Sequence, residues 1–451
     1  MMPRDLALSA LNSLDHSPGF SERYLEYAFQ QEPLMSERDR AFTVHLVQGV
    51  FRWRLRLDWL IKQTVHFSFG KIEPLTLNIL RVALYQIFFM DRVPESAAVN
   101  EAVKQARTAG KGRVAGFING ILRHICRQKD QISFPDRESN RVGYLSVFHS
   151  YPTWLVEKWI RELGINSAES LLAAGNQIPD LVIRANTIKV DRQGLIKRLE
   201  EEGVSGSPTP YSPEGIKVKG LRGPVDRLNA FKEGLFQVQG EAAQVCSHLL
   251  FPRPGESVLD LCAGLGGKST HLAQLMGNEG WILAVDTNRS RLVILGQCLR
   301  RLGVDCVRSI VSDARERLSY LFRFPFDKIL IDGPCSGLGT ISRHPDGKWA
   351  RDEKDIKRLH ILQLKILNEA VPLLRKGGKM LYVTCTISRE ENEDVVRGFL
   401  EENREIALED LSNYVPEWGL DLIDGPGFYK TFPHIHGVDG FFGTLFIKKD
   451  A

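Results

Sequence analysis

Long apolar runs are missing from this chain. No stretch free of Asp, Glu, Lys and Arg reaches the roughly 18 residues that a membrane span needs. The N-terminus carries Arg4 and Asp5 and then an amphipathic pattern, with no signal-peptide core. A soluble, unexported, cytoplasmic protein is expected. Cysteine is scarce too. Seven residues, at 126, 246, 262, 298, 306, 335 and 385, form no CxxC pair. An odd, scattered set excludes a disulfide framework and gives no zinc spacing, so no metal is expected. In a reducing compartment such thiols remain free for chemistry. A strong charge of either sign is also absent. The net is +4, but residues 1–150 hold 20 Lys+Arg against 15 Asp+Glu, so the positive excess lies in the first third. It is mostly arginine, which suits phosphate contacts and equally suits a solvated helical surface.

At 451 residues the chain is too long for one core, and two or three domains are expected. Residues 1 to about 130 repeat apolar positions at helical spacing, as in Leu6, Leu11 and Leu14 and in Leu75, Ile79, Val82 and Ile87. Breakers fall between the runs, at Pro18–Gly19, Pro33, Pro74 and Pro94. The stretch 99–125 is basic, through Lys104, Arg107, Lys111, Arg113 and Arg123. A linker is expected near Phe134–Pro135. Residues 150–240 read as a small α+β segment: helices near 154–163 and 193–202, strands at 181–185, 215–218 and 235–238, and a loop over Ser205–Pro213. From Gly255 onward short apolar strands (257–261, 281–286, 328–332, 380–384, 443–447) alternate with helical stretches. This pattern predicts a doubly wound, mostly parallel sheet with its ligand at the strand ends. The domain limits expected are 1–140 (all-α), 141–235 (α+β connecting segment) and 236–451 (α/β, Rossmann-like).

Three motifs sit where that sheet would bind a ligand. The first is Asp260-Leu261-Cys262-Ala263-Gly264-Leu265-Gly266-Gly267-Lys268, a glycine-rich turn between strand and helix. It fits neither GxxxxGK[ST] nor GxGxxG. Asp286 ends the next strand, where an acid accepts from ribose hydroxyls, and Asp313 stands where an acid could meet an adenine amino group. Three acids at successive strand ends, Asp260, Asp286 and Asp313, favour an adenosine ligand without phosphates, S-adenosylmethionine over NAD. The second motif is Asp332-Gly333-Pro334-Cys335-Ser336-Gly337. The third is Thr384-Cys385-Thr386, followed by Glu390-Glu391-Asn392-Glu393. Two thiols and an acid at strand ends suit pyrimidine methylation. A thiolate adding to carbon 6 of cytosine makes carbon 5 nucleophilic, and an acid near N3 holds or delivers the proton. The second thiol can assist release. Glu390, Glu391 and Glu393 read as the charged first turn of a helix. Lys268 reads equally as a solvated lysine or as one that meets the cofactor carboxylate or RNA.

The pairing of Pro334-Cys335 with Thr384-Cys385 resembles the RNA (cytosine-5-)methyltransferase family, the NOL/NOP/Sun family, and the resemblance is full-length. The first third is similar to the NusB fold, notably at Val99–Val103 and Phe117–Arg123. Tyr151-Pro152 and Leu235–Gln239 match the connecting segment, and Gly437–Phe442 the C-terminal motif. The resemblance implies Cys385 as nucleophile and Cys335 as the release thiol. It implies cofactor contacts from Cys262, Ala263, Gly264, Leu265, Gly266, Gly267, Lys268, Asp286, Asp313 and Asp332. It also implies 16S rRNA as substrate, naked or in an early assembly intermediate, bound by a monomer. A single-stranded or loop cytosine is expected, because the base must be flipped out. Where the family usually has Ala-Pro-Gly-Gly-Lys, this chain has Gly264-Leu265 before Gly266-Gly267-Lys268, and Gly333 stands where alanine is common. Arg343-His344-Pro345-Asp346 with Trp349 resembles a substrate-side loop. His434 and His436 read as surface or RNA-facing rather than as metal ligands. Two alternatives stay open: a methyltransferase acting on tRNA or DNA, and an inactive RNA-binding assembly factor.

Overall fold

Helical spacing in the first third is matched by helices at Pro3–His16, Ser21–Gln31, Glu37–Thr64, Pro74–Phe89, Glu95–Thr108 and Ala115–Arg127. The computed structural model describes residues 2–16, 21–320 and 324–450. The break expected at Pro18–Gly19 lies outside them. Contacts divide the chain into two units, Met1–Ile178 with Ile341–Ala350, and Pro179–Thr340 with Arg351–Ala451. Pro74 opens its helix at a position where a missing N–H costs nothing. That helix is buried continuously from Thr76 to Ile87, which makes it the centre of the bundle. Helices Arg141–His149, Thr153–Leu163 and Ile165–Ala174 complete the helical unit.

The segment 341–350 is a correction to the sequence reading. Asp346 accepts from the Ser21 amide at 2.6 Å, and the Trp349 indole donates to the Phe51 carbonyl at 2.7 Å. Lys348 is fully buried and donates to the carbonyls of Arg52 and Ser150 and to Asn176 Oδ1, with the Tyr151 ring 3.6 Å from its ammonium nitrogen. These polar groups are spent on holding the helical unit together, and Asp346 and Trp349 are not a free substrate-side surface.

The second unit begins with an antiparallel sheet of β1 (Leu181–Ala185), β2 (Ser205–Pro208), β3 (Gly215–Lys219) and β4 (Phe236–Val238), in the order β2-β3-β1-β4. The expected loop at Ser205–Pro213 is partly wrong, because β2 pairs with β3 from Ser205↔Lys219 to Pro208↔Ile216. Its Ser-Gly-Ser-Pro sequence is tolerated because an edge strand needs partners on one side only.

The larger sheet contains β5 (Ser257–Asp260), β6 (Trp281–Asp286), β7 (Val307–Val311), β8 (Phe326–Asp332), β9 (Leu374–Thr384), β10 (Ile406–Glu409), β11 (Tyr429–Lys430) and β12 (Phe442–Lys448). The order is β10-β12-β9-β8-β5-β6-β7. Strands β5 to β9 are parallel, whereas β12 is antiparallel to β9, β10 and β11. Ile329-Leu330-Ile331 and Met380–Val383 are wholly buried, as strands covered on both faces must be. The strand order reverses between β5 and β8, and the crevice outside their carboxyl ends is where such sheets bind ligands.

Candidate active site

The first motif leaves β5 at Asp260 and turns into the helix Gly267–Leu275. Gly266 makes the turn at φ +83°, where a Cβ would also lie 2.0 Å from the Leu295 side chain. Only glycine fits both demands. Asp286, buried at the end of β6, accepts from the amides of Gly264 (2.9 Å) and Asn288 (2.7 Å) and so fixes the loop. Asp313 lies two residues beyond β7 and is gripped by the Arg315 guanidinium at 2.5–2.9 Å, which holds its carboxyl below the usual range. Cys262 is surrounded by the charges of Asp260, Asp332, Asp286 and Asp313. Burial first, and then those acids, push its thiol well up. The acids expected from sequence therefore do converge on one loop.

Asp260 is buried, with Oδ2 accepting from Ser269 at 2.6 Å and Oδ1 unpartnered. Burial pushes its pKa up to about 7. Its unfolded value is near 3.9, so the raised folded value costs the protein stability as pH rises from about 4 through 7. The wild type is therefore expected to lose on the order of 1 kcal/mol per pH unit relative to Asp260→Asn across that window. Denaturant midpoints of both proteins at pH 5 and pH 8 check this, and equal differences at the two pH values would refute it.

Lys268 is not solvated. It is buried and bonds Asp332, which ends β8, at 2.7 Å. Burial disfavours its ammonium, but Asp332 outweighs this and holds the pKa above the ordinary lysine range. Beyond β8 and β9 lie the two cysteines, with their sulfurs 3.2 Å apart. Cys335 is held well above the usual thiol range, first by its hydrogen bond to Cys385 and then by burial. The two thiols share one hydrogen bond, in which either sulfur can be the donor. Gly339, on the Cys335 loop, donates its amide to the Cys385 carbonyl at 3.0 Å and accepts from Gly440, which brings the C-terminal Gly437–Phe442 motif against both turns.

Glu391 was missed. It does lie in a helical turn, Arg389–Glu391, just before the helix Glu393–Glu402, but it is fully buried rather than merely a charge at a helix start. It accepts from the Ser336 amide (2.7 Å), the Ser336 hydroxyl (2.5 Å) and Gln363 (3.2 Å), and burial raises its pKa. His434 and His436 are half-buried, and the Phe432 amide donates to His436 Nδ1 at 2.9 Å. Among the described residues one set has the geometry to hold a cation, Glu214, His248 and His271, whose donor atoms lie within 4.8 Å of one another. Glu214 already pairs with His248 at 2.9 Å. Burial and Arg184 push His271 down to about 3, so a buried guanidinium shares the neighbourhood any cation would enter. The three residues lie before β3 and on two separate helices, and no spacing betrays them.

A glycine-rich loop and acids at a strand-order reversal, beside two touching thiols, define an α/β protein with a ligand crevice next to a thiol pair. Comparison with known proteins narrows this class. The profile described as 16S rRNA methyltransferase RsmB/F matches residues 247–447. The NusB family matches 1–127, and the RsmF/B-like ferredoxin-like domain matches 151–225. A protein of Bacillus subtilis named "Probable ribosomal RNA small subunit methyltransferase B" is 32% identical over 447 residues, covering 99% of this chain and 98% of its own. The crystal structure of PH0851 superposes with a TM-score of 0.81 at 30% identity and covers 99% of both chains. NSun6 from Pyrococcus horikoshii, solved with SFG, gives 0.59 at 25% identity over 67% of this chain and all of its own. The chain belongs to the 16S rRNA methyltransferase RsmB/F family.

Proposed function

We propose that this protein transfers a methyl group from S-adenosylmethionine to carbon 5 of a cytosine in 16S rRNA through a covalent bond between Cys385 and carbon 6. The observation that carries the reading is the 3.2 Å contact between the Cys335 and Cys385 sulfurs, at neighbouring strand ends and close to the Lys268–Asp332 pair. Membership of an rRNA methyltransferase family and the relatives' names support the substrate class. The NusB match and the basic bias of the first third support RNA contact by the helical unit.

The residues present fit the cofactor. A Cβ at Gly264 would meet nothing within 4 Å, so the loop leaves open space, and Asp286 and Asp313 stand beside it at strand ends. When bound, S-adenosylmethionine supplies an electrophilic methyl group on a sulfonium. Cys385, as a thiolate, forms a bond to carbon 6 and drives an electron pair into the ring, which makes carbon 5 nucleophilic. Asp332, whose carboxylate is held by the Lys268 ammonium, accepts the N–H of a base protonated at N3. Once carbon 5 carries the methyl group, its proton leaves and the carbon 6–sulfur bond breaks, returning the pair to Cys385. Cys335 assists that release. The base gains one methyl group and loses one proton.

The test is incubation with unmodified 16S rRNA and methyl-labelled S-adenosylmethionine, with the product mapped by bisulfite sequencing. Label at one cytosine carbon 5 is expected. Label on tRNA alone would move the substrate, and cofactor binding with no transfer to any RNA would favour the assembly-factor reading.

A further inference from the structure

Resting on that reading, we infer that Glu391 and Asn392 are positioning residues, Glu391 for the release thiol Cys335 and Asn392 for the nucleophile Cys385.

Each side chain clamps the turn of one cysteine, Asn392 directly at both chain neighbours, Glu391 directly at one and through Gln363 at the other. Glu391 accepts from the amide and the hydroxyl of Ser336, which follows Cys335. It also accepts from Gln363, whose same amide nitrogen donates to the carbonyl of Pro334, which precedes Cys335, at 2.9 Å. Asn392 does the equivalent for Cys385. Its Oδ1 accepts from the Thr384 hydroxyl at 2.6 Å, and its Nδ2 donates to the Thr386 carbonyl at 3.0 Å. The two clamps are joined, because the Thr386 hydroxyl reaches Glu391 at 3.3 Å and Ser336 at 2.9 Å. Tyr382, inside β9, donates to the Glu391 carbonyl at 2.7 Å and anchors the dipeptide to the sheet.

Glu391, Asn392, Gln363, Ser336, Thr384 and Thr386 are all buried, so water does not compete for these bonds. Neither Glu391 nor Asn392 bonds the glycine loop in any of these contacts. Their effect reaches the chemistry through the turns that carry the thiols, where displacements of about 1 Å can cost on the order of 100-fold in rate.

The two clamps predict opposite kinetic signatures. Glu391→Gln is nearly isosteric but cannot accept from both Ser336 groups with two carboxylate oxygens. Turnover should fall at least tenfold, and the covalent enzyme–RNA adduct should accumulate on denaturing gels, as expected for Cys335→Ala. KM for S-adenosylmethionine should not change, and the double variant should lose little more than Cys335→Ala alone. Asn392→Ala should slow adduct formation at least tenfold, with no accumulation. Asn392→Asp, which keeps the acceptor for Thr384, should recover part of the rate. Ser336→Ala, which removes the hydroxyl's contacts to Glu391 and Thr386 but keeps the amide bond to Glu391, should give a weaker form of the Glu391→Gln pattern. The inference is overturned if Glu391→Gln abolishes adduct formation. It is equally overturned if both variants lose activity only in step with melting temperature or cofactor affinity. Wild type and Cys335→Ala are measured first. Absence of carbon 5 label and adduct there would remove the reading of the reaction, whereas normal behaviour there with unaltered Glu391 and Asn392 variants would remove this inference alone.

Discussion

Cys385→Ala is expected to eliminate both methyl transfer and the trapped RNA adduct, while S-adenosylmethionine still binds. Without an attacking sulfur the ring stays conjugated, and carbon 5 has no pair to offer. Loss of a covalent nucleophile costs on the order of 10⁴-fold or more, or at least about 5 kcal/mol of transition-state stabilisation. The cofactor loop is built by Gly266, Asp286 and the start of a helix, none of which uses the Cys385 side chain. Cys335→Ala should behave differently, retaining attack and accumulating adduct. The expected asymmetry follows from the different roles proposed for the two thiols, attack by Cys385 and release by Cys335, whose sulfurs lie 3.2 Å apart. Single-turnover methylation and denaturing gels decide it. An active Cys385→Ala, or a Cys335→Ala protein that neither reacts nor traps RNA, would reverse the assignment of the two thiols.

The second large effect concerns stability. Lys348→Ala is expected to destabilise the helical unit by about 3–5 kcal/mol, because it leaves the Arg52 and Ser150 carbonyls and Asn176 Oδ1 buried without their donor. Burial, and then Arg52, hold the Lys348 pKa well below the lysine range. The unfolded chain therefore binds this proton more readily. Wild-type stability relative to Lys348→Met should climb as pH rises toward about 10.4, and fall as pH drops through the depressed folded value. Chemical unfolding monitored by tryptophan fluorescence, repeated at several pH values, provides the check. A loss below 1 kcal/mol would refute the role given to Lys348.

What the sequence reveals depends on how local the physics is. The strands of the large sheet are legible because burial on both faces demands continuous apolar runs, as at Ile282–Val285 and Ile329–Ile331. The thiol pair is legible because each cysteine follows such a run. Glu391 is not, since its burial depends on Ser336 and Gln363, which are distant in sequence, while its neighbours Glu390 and Glu393 suggest an ordinary charged helix start. Lys268 is ambiguous until Asp332 is found beside it. The Glu214–His248–His271 cluster leaves no local signature at all. Strand β2 hides behind turn-forming residues because the partner strand supplies its order.

Because Ile341–Ala350 packs inside the helical unit, with Trp349 against its apolar core, that unit is unfinished when its own first stretch has been synthesised. Residues 1–178 leave the ribosome some ten to thirty seconds before residue 350 does, at roughly 5–20 residues per second. During that interval the pocket for Lys348 has its acceptors but no donor. A nascent chain halted once residue 178 has emerged should therefore resist protease less well than one halted once residue 350 has emerged, even though both expose every helix of the N-terminal stretch.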